Sequence, residues 1–190
     1  MPFTTYAELK TAIIDELDRD DLSTKVDDFI DLAEERHKNE IRIRQGIKRA
    51  TVSASSRYLA LPDGFQEMIT FRILTDPVTV LKEVNLHEMN RQRESGNNTP
   101  SLYTIHEEIE FNSDIADASP LTMEMIYYAE FTALSDTNTS NGLLTRAPST
   151  YLYGALVAAA PWLSEDERLT TWNALYNTAR DGLVLADRRA

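Results

Sequence analysis

Apolar residues recur every three to four positions at both ends of this 190-residue chain and at every second position in its middle. A helix repeats about every 3.6 residues and a strand every two, so this chain cannot be all helix or all sheet. Near the start, Thr5 and Glu8 have the spacing of a capping box, and Tyr6, Leu9, Ile13 and Leu17 follow at helical intervals. The acidic run from Asp18 to Asp21 breaks that pattern. Ser23 or Thr24 is placed to cap a second helix, with Val26, Phe29, Ile30, Ala33 and Ile41 on its inner face and Asp27, Asp28, Asp31, Glu34 and Glu35 on its outer face.

The period changes after residue 49. Ala50 to Leu61 is predicted as a strand closed by the turn Pro62-Asp63-Gly64. Met68 to Leu74 alternates with Ile69, Phe71 and Ile73 on one face, and Val78 to Leu81 is a short strand after the turn Asp76-Pro77. Asn85 and Glu88 open a short helix over 86–94, Ser95 to Pro100 is a loop, and a hairpin turns at Glu107-Glu108. Leu121, Met123, Met125, Tyr127, Ala129 and Phe131 alternate with Thr122, Glu124, Tyr128 and Glu130, which is the cleanest strand pattern in the chain.

A polar linker from Leu134 to Gly142 precedes two more helices. Pro148 suits a first helical turn, and the apolar residues from Tyr151 to Leu163 predict a helix buried on most sides, with Trp162 in the core and Pro161 at its end. Ser164 and Glu167 form a further capping box. Leu169, Trp172, Leu175, Tyr176, Ala179 and Leu183 then make the stripe of a last helix, which Val184 and Leu185 widen into a candidate docking surface. The expected class is therefore α+β: N- and C-terminal helices (1–49 and 134–190) form one bundle, and a small antiparallel sheet or partial barrel (50–133) is inserted between them.

Composition narrows the function. No cysteine is present, which removes disulfides, thiolate metal sites and a cysteine nucleophile. His37, His87 and His106 lack a second ligand at metal spacing. The acidic stretch Asp15 to Asp21 lacks the glycine and terminal glutamate of a calcium loop. No glycine-rich phosphate loop or nucleophile elbow occurs, and no carboxylate pair is singled out for hydrolysis. No enzymatic activity, cofactor or metal is expected. Residues Met1 to Leu9 lack the basic start and apolar stretch of a secretion signal, and no apolar run is long enough to span a bilayer.

Charge is segregated. The net charge is -12, which disfavours general nucleic-acid binding. Residues 1–40 hold twelve acidic and five basic side chains, whereas 41–49 hold Arg42, Arg44, Lys48 and Arg49 and no acid. The basic group is read either as a helix C-terminal end that offsets the helix dipole or as a contact for an acidic partner surface or DNA.

The segments "YLALPDGFQEMITFRI", "SLYTIHEEIEFN", "LTMEMIYYAEFTALSD" and "LLTRAPSTYLYGALVAAAPWL", with the opening "PFTTYAELKTAIIDEL", resemble the head–tail connector adaptor proteins of tailed phages over nearly the whole chain. That resemblance implies a non-enzymatic virion protein, made in the host cytoplasm, that forms a ring, typically of twelve copies, beneath the portal. The ring extends the DNA channel and offers a surface to tail or nozzle proteins, while genomic DNA passes without specific binding and no membrane is involved. It implies that a C-terminal segment reaches the portal, here carried onto Trp172, Tyr176, Leu183, Val184 and Leu185. Acidic residues of the first two helices would face Arg42, Arg44, Lys48 and Arg49 of a neighbour. A tail-completion or tail-tube subunit, a cytosolic DNA-binding or regulatory protein, and an acidic hydrolase are the alternatives.

Overall fold

The computed structural model describes residues 3–96, 99–163 and 167–189, and the chain is α+β. It divides into two compact units, one of residues 1–46 with 130–190 and one of residues 47–129.

The first unit is helical. Helix α1 (Tyr6–Leu17) starts at a complete capping box: the Thr5 hydroxyl accepts from the Glu8 amide at 3.4 Å, and the Glu8 carboxylate accepts from the Thr5 amide at 3.1 Å. Its buried face is Tyr6, Leu9, Ile13 and Leu17. A 3₁₀ segment (Asp20–Lys25) leads into α2 (Val26–Glu40). Contrary to the expectation from sequence, neither Ser23 nor Thr24 caps α2, because the 3₁₀ turns already lead the chain into the helix with Lys25 at the cap position. Glu34 also departs from the expected outer face. It is buried, and its Oε1 accepts from the Leu134 amide at 3.0 Å and the Tyr151 hydroxyl at 2.9 Å. These two donors offset the cost of burying a carboxyl group.

The stretch Leu134 to Gly142 is expected to be a polar linker, and it holds no helix or strand before Gly142. It buries Leu134 and leads into a short helix, α4 (Gly142–Arg146), capped by the Asn141 side chain on the Leu144 amide at 2.8 Å; the second unit holds α3 (Leu86–Arg91). Helix α5 (Pro148–Ala158) packs against α1, α2 and the long last helix α6 (Arg168–Arg189). Pro148 sits in its first turn as expected, and a 3₁₀ turn (Ala160–Trp162) ends it at Pro161. The approach of α5 to α2 and α6 depends on Gly154. A Cβ there would lie 3.2 Å from both the Ala33 Cβ and the His37 Nε2, and 3.4 Å from the Tyr176 ring. The proposed Ser164 capping box lies outside the described residues, since Ser164, Glu165 and Asp166 are not among them.

The second unit is two four-stranded sheets that share one core. The first has the order β1 (Ile47–Ala54), β8 (Leu121–Ala129), β3 (Phe65–Ile73), β4 (Thr79–Val80). The second has the order β2 (Tyr58–Ala60), β7 (Glu108–Phe111), β6 (Leu102–Ile105), β5 (Lys82–Glu83). All pairs are antiparallel except β5 with β6, which departs from the fully antiparallel expectation. Met123, Met125, Tyr127 and Ala129 of β8 meet Phe71, Ile73, Tyr103, Ile109 and Phe111 in the shared core.

The strand expected over 50–61 is two strands in different sheets. β1 ends at Ala54 and β2 begins at Tyr58, so the chain changes sheet at Ser55 and Ser56. Ile69 leaves the face of Phe71 and Ile73 and is 43% exposed, because a bulge between Met68 and Thr70 shifts the register with β8. In the turn at Pro62, the Phe65 amide donates to the Pro62 carbonyl at 3.1 Å, and Gly64 takes φ 68, a left-handed conformation open to glycine at no steric cost.

Candidate assembly surface

The basic residues 42–49 divide between the units. Arg42 and Arg44 belong to the helical unit, whereas Lys48 and Arg49 belong to β1. Arg42 caps α2: its Nη1 donates to the carbonyls of Lys38 at 2.6 Å and Ile41 at 3.1 Å. Arg44 does the same for α6, donating from Nη2 to the Asp187 carbonyl at 2.7 Å, while its amide donates to the Asp187 carboxylate at 3.0 Å. The last carbonyls of a helix lack intrahelical donors and carry its negative dipole end, so a guanidinium satisfies both needs. Arg168, which sequence reasoning did not single out, gives α1 the same cap through the carbonyls of Glu16 at 2.9 Å and Leu17 at 3.2 Å. Lys48 and Arg49 are exposed. Arg49 reaches Glu124 at 3.2 Å with its side chain 62% exposed.

The residues expected to dock on a portal also divide. Trp172, Tyr176 and Leu183 are buried in the helical unit, so the physical reason for their apolar character is the chain's own core. Leu185 is 49% exposed, Leu175 is 39% exposed on the same helix, and Val184 is half-buried. Trp162, placed in the core by its sequence context, is instead 40% exposed; its ring rests on Phe29 with centroids 5.0 Å apart. Pro161 ends α5 before it, so Trp162 leaves the helical face that Tyr151 and Ala155 occupy.

Several polar groups are structural hubs that sequence spacing revealed only in part, because most of their partners lie far apart in the chain. Glu40 accepts from Arg36 Nε at 2.8 Å, Arg180 Nη1 at 2.7 Å and the Tyr176 hydroxyl at 3.0 Å, tying α2 to α6. Burial opposes its charge, yet the bonds from Arg180, Arg36 and Tyr176 outweigh that and hold the carboxyl below its ordinary range. The Arg36 guanidinium also lies 3.9 Å from the Tyr176 ring centroid. In the second unit, Arg57 grips Asp114 at 2.9 and 3.0 Å and donates to the carbonyls of Glu94 and Asn112. Glu124 receives Arg49 and Arg72.

His37 lies in the helical core, edge-on to Tyr151 with centroids 4.8 Å apart and stacked on Tyr176 at 6.0 Å. Burial pushes its pKa from 6.5 down to about 4. The folded state therefore binds this proton less well than the unfolded chain. His37 leaves stability intact above pH 6.5 and costs about 3 kcal/mol by pH 4. Glu34 runs the other way: burial holds its carboxyl above the ordinary range despite the Leu134 and Tyr151 donors, so its contribution is lost as pH rises. Comparing urea unfolding of the wild type with His37→Phe across pH 4–7 cancels the Glu34 part. The variant is expected to lose the acid-side decline that His37 causes, and identical pH profiles would disprove the assignment.

His87 and His106 lie in the second unit, and His106 Nε2 is 3.4 Å from Glu110. Among the described residues, no group of three or more His, Asp or Glu side chains is arranged to hold a metal ion, and no helix is long and apolar enough to cross a membrane. The polar hubs join helix to helix and strand to strand, and the open surface carries paired and unpaired charges with isolated apolar side chains. These features define an α+β protein whose polar hubs lie within each of its two units. The chain belongs to the SU10 adaptor protein family, whose model matches residues 4–190. It is therefore a structural adaptor protein of a phage virion. No curated protein matches the chain.

Proposed function

We propose that this adaptor is one copy of a ring, of about twelve, seated beneath the portal at the head–tail junction, where it extends the DNA channel and receives a tail or nozzle protein. The observation that carries the ring is the placement of charge. In a chain of net charge -12, Lys48 and Arg49 stand exposed on one strand, while Arg42 and Arg44 are committed to helix ends. A surface with separate acidic and basic regions suits head-to-tail pairing, and head-to-tail contacts form a ring when the rotation between copies closes. The same net charge supports a lumen that does not hold phosphates. Leu185, on the side of α6 away from the core, serves as the portal contact with Val184 beside it, and Trp172, Tyr176 and Leu183 support it from within.

The reading is tested by native mass measurement of the protein alone and with its portal. A monomer that becomes a ring on the portal is the expected result. A protein that ignores the portal, or that instead binds duplex DNA with a steep salt dependence, overturns it. The basic pair has its own test. Lys48→Glu with Arg49→Gln is expected to raise the concentration needed for ring assembly about tenfold or more, since about 1.4 kcal/mol at each joint is a factor of ten. The monomer should unfold as the wild type does, within about 1 kcal/mol, because both sites are exposed and Glu124 keeps Arg72. Unchanged assembly would remove these two residues from the interface.

A further inference from the structure

The first sheet of the second unit has one face turned away from the shared core. Met123, Met125, Tyr127 and Ala129 of β8 point into that core, so Thr122, Glu124, Ile126 and Tyr128 point outward, and their cross-strand partners share the outward face. One row of that face runs Arg49, Ile126, Thr70, and the next runs Thr51, Glu124, Arg72, Val80. Glu124 is buried although it points outward, because Arg72 Nε donates to its Oε1 at 2.7 Å and Arg49 Nη1 to its Oε2 at 3.2 Å. Both carboxylate oxygens are thereby taken, and the trio presents a net positive charge in a chain of net charge -12. A guanidinium carries several N–H donors, so the exposed Arg49 keeps donors for a further carboxylate. Apolar side chains flank the trio. Val80 is 65% exposed opposite Arg72, Leu74 and Val78 are exposed at the turn from β3 to β4, and Ile47 is exposed opposite Tyr128.

An apolar face with a cationic centre suits an occupant that is both apolar and acidic, and the chain itself carries one. The outward stripe of α2, in the helical unit, is Asp28, Asp31, Leu32, Glu35 and Asn39, all exposed and set at helical spacing. Leu32 is 44% exposed, and among the described residues of 1–46 it is the one large apolar side chain that stands open to solvent. We infer that the α2 stripe of one copy lies on the outward face of the β1–β8–β3–β4 sheet of the next copy, with Leu32 on the apolar side chains and Asp31 and Glu35 toward Arg49 and Arg72. The dimensions agree: Asp28 to Asn39 spans about 16 Å of helix, and four strands present roughly 15 Å across. The two surfaces differ, so the contact is head-to-tail, and each copy uses both surfaces once around a ring. This names the partner of Arg49 at each joint and rests on the ring reading.

The chain has no cysteine, so introduced thiols report this contact without background. Full-length Leu32→Cys copies are mixed in turn with Thr51→Cys, Thr70→Cys and Val80→Cys copies, which sample the sheet face, assembled on the portal and treated with a short bis-maleimide. A covalent dimer that grows no further is expected from at least one mixture. The double variant carrying both of those cysteines is expected to give a ladder of linked copies, and each single variant alone should give no linked copies of this chain. Leu32→Lys supplies a second readout. It is expected to unfold as the wild type does, since the site is exposed, and to raise the concentration needed for ring assembly about tenfold or more. Rings that yield no covalent dimer in any mixture overturn the inference, as does a Leu32→Lys variant that assembles like the wild type. Val80→Lys rings that form normally but no longer hold the tail protein would assign the sheet face to that protein and overturn it too. If the wild type forms no ring, native mass shows that first, and the ring reading itself fails.

Discussion

Replacing Tyr176 with alanine is expected to destabilise the protein by about 3–5 kcal/mol, the range for deleting a large buried aromatic ring. Tyr176 is fully buried in α6. Its ring is stacked with His37 and lies under Arg36, and its hydroxyl donates to Glu40 at 3.0 Å. Alanine leaves a cavity where α2, α5 and α6 meet, beside the glycine that lets α5 approach. Tyr176→Phe separates packing from hydrogen bonding. Glu40 would still hold Arg36 and Arg180, so the phenylalanine variant is expected to lose only about 1 kcal/mol. Denaturant unfolding measures both. The experiment also decides between the two readings of this residue. If Tyr176 served a partner and not the core, alanine would leave the monomer's midpoint unchanged and abolish portal binding.

Arg57→Ala is expected to cost about 3 kcal/mol, by a different route. The Arg57 side chain is buried at the start of the second sheet and joins three places: the Asp114 carboxylate, the Glu94 carbonyl and the Asn112 carbonyl. Asp114 is half-exposed and can return to water, so the ion pair itself contributes little. The larger part is the lost packing of the buried aliphatic stem and the loss of the charged donors it brings to both carbonyls; neither carbonyl is stranded, because that of Asn112 keeps the Glu94 amide at 2.7 Å and Glu94 is exposed. Arg57→Lys is not expected to restore the loss, because one ammonium cannot span a two-pronged carboxylate contact and two carbonyls. Equilibrium unfolding followed by exchange over 94–114 checks this. A loss below about 1 kcal/mol would mean that solvent takes over the guanidinium's role.

Acid stability ties these networks to solution conditions. His37 and Glu34 both touch Tyr151 and shift in directions with opposite effects on stability, so their contributions to the pH profile oppose one another. Only the difference between wild type and variant isolates the histidine.

Local pattern carried much of this protein. The capping box of Thr5 and Glu8, the buried stripe of α1, the proline start of α5 and the alternation of β8 depend on neighbours a few residues away, so they were legible as helix and strand from the sequence alone. The α+β class followed from the change of period. Tertiary structure decided what depends on partners distant in sequence. The strand from Ala50 onward looked continuous, yet it divides between two sheets because β1 and β2 find different partners, β8 and β7. Glu34 sat on a polar stripe by period, and it is buried because Leu134 and Tyr151, about a hundred residues away, supply its donors. The basic residues could be read from sequence either as a helix end or as a partner contact; Arg42 and Arg44 took the first role at the ends of α2 and α6, whereas Lys48 and Arg49 fell on an edge strand. Periodicity states which side of an element is apolar. It does not state which element will cover that side, and that choice, made by packing across the chain, separates the core of this adaptor from the surface it offers to others.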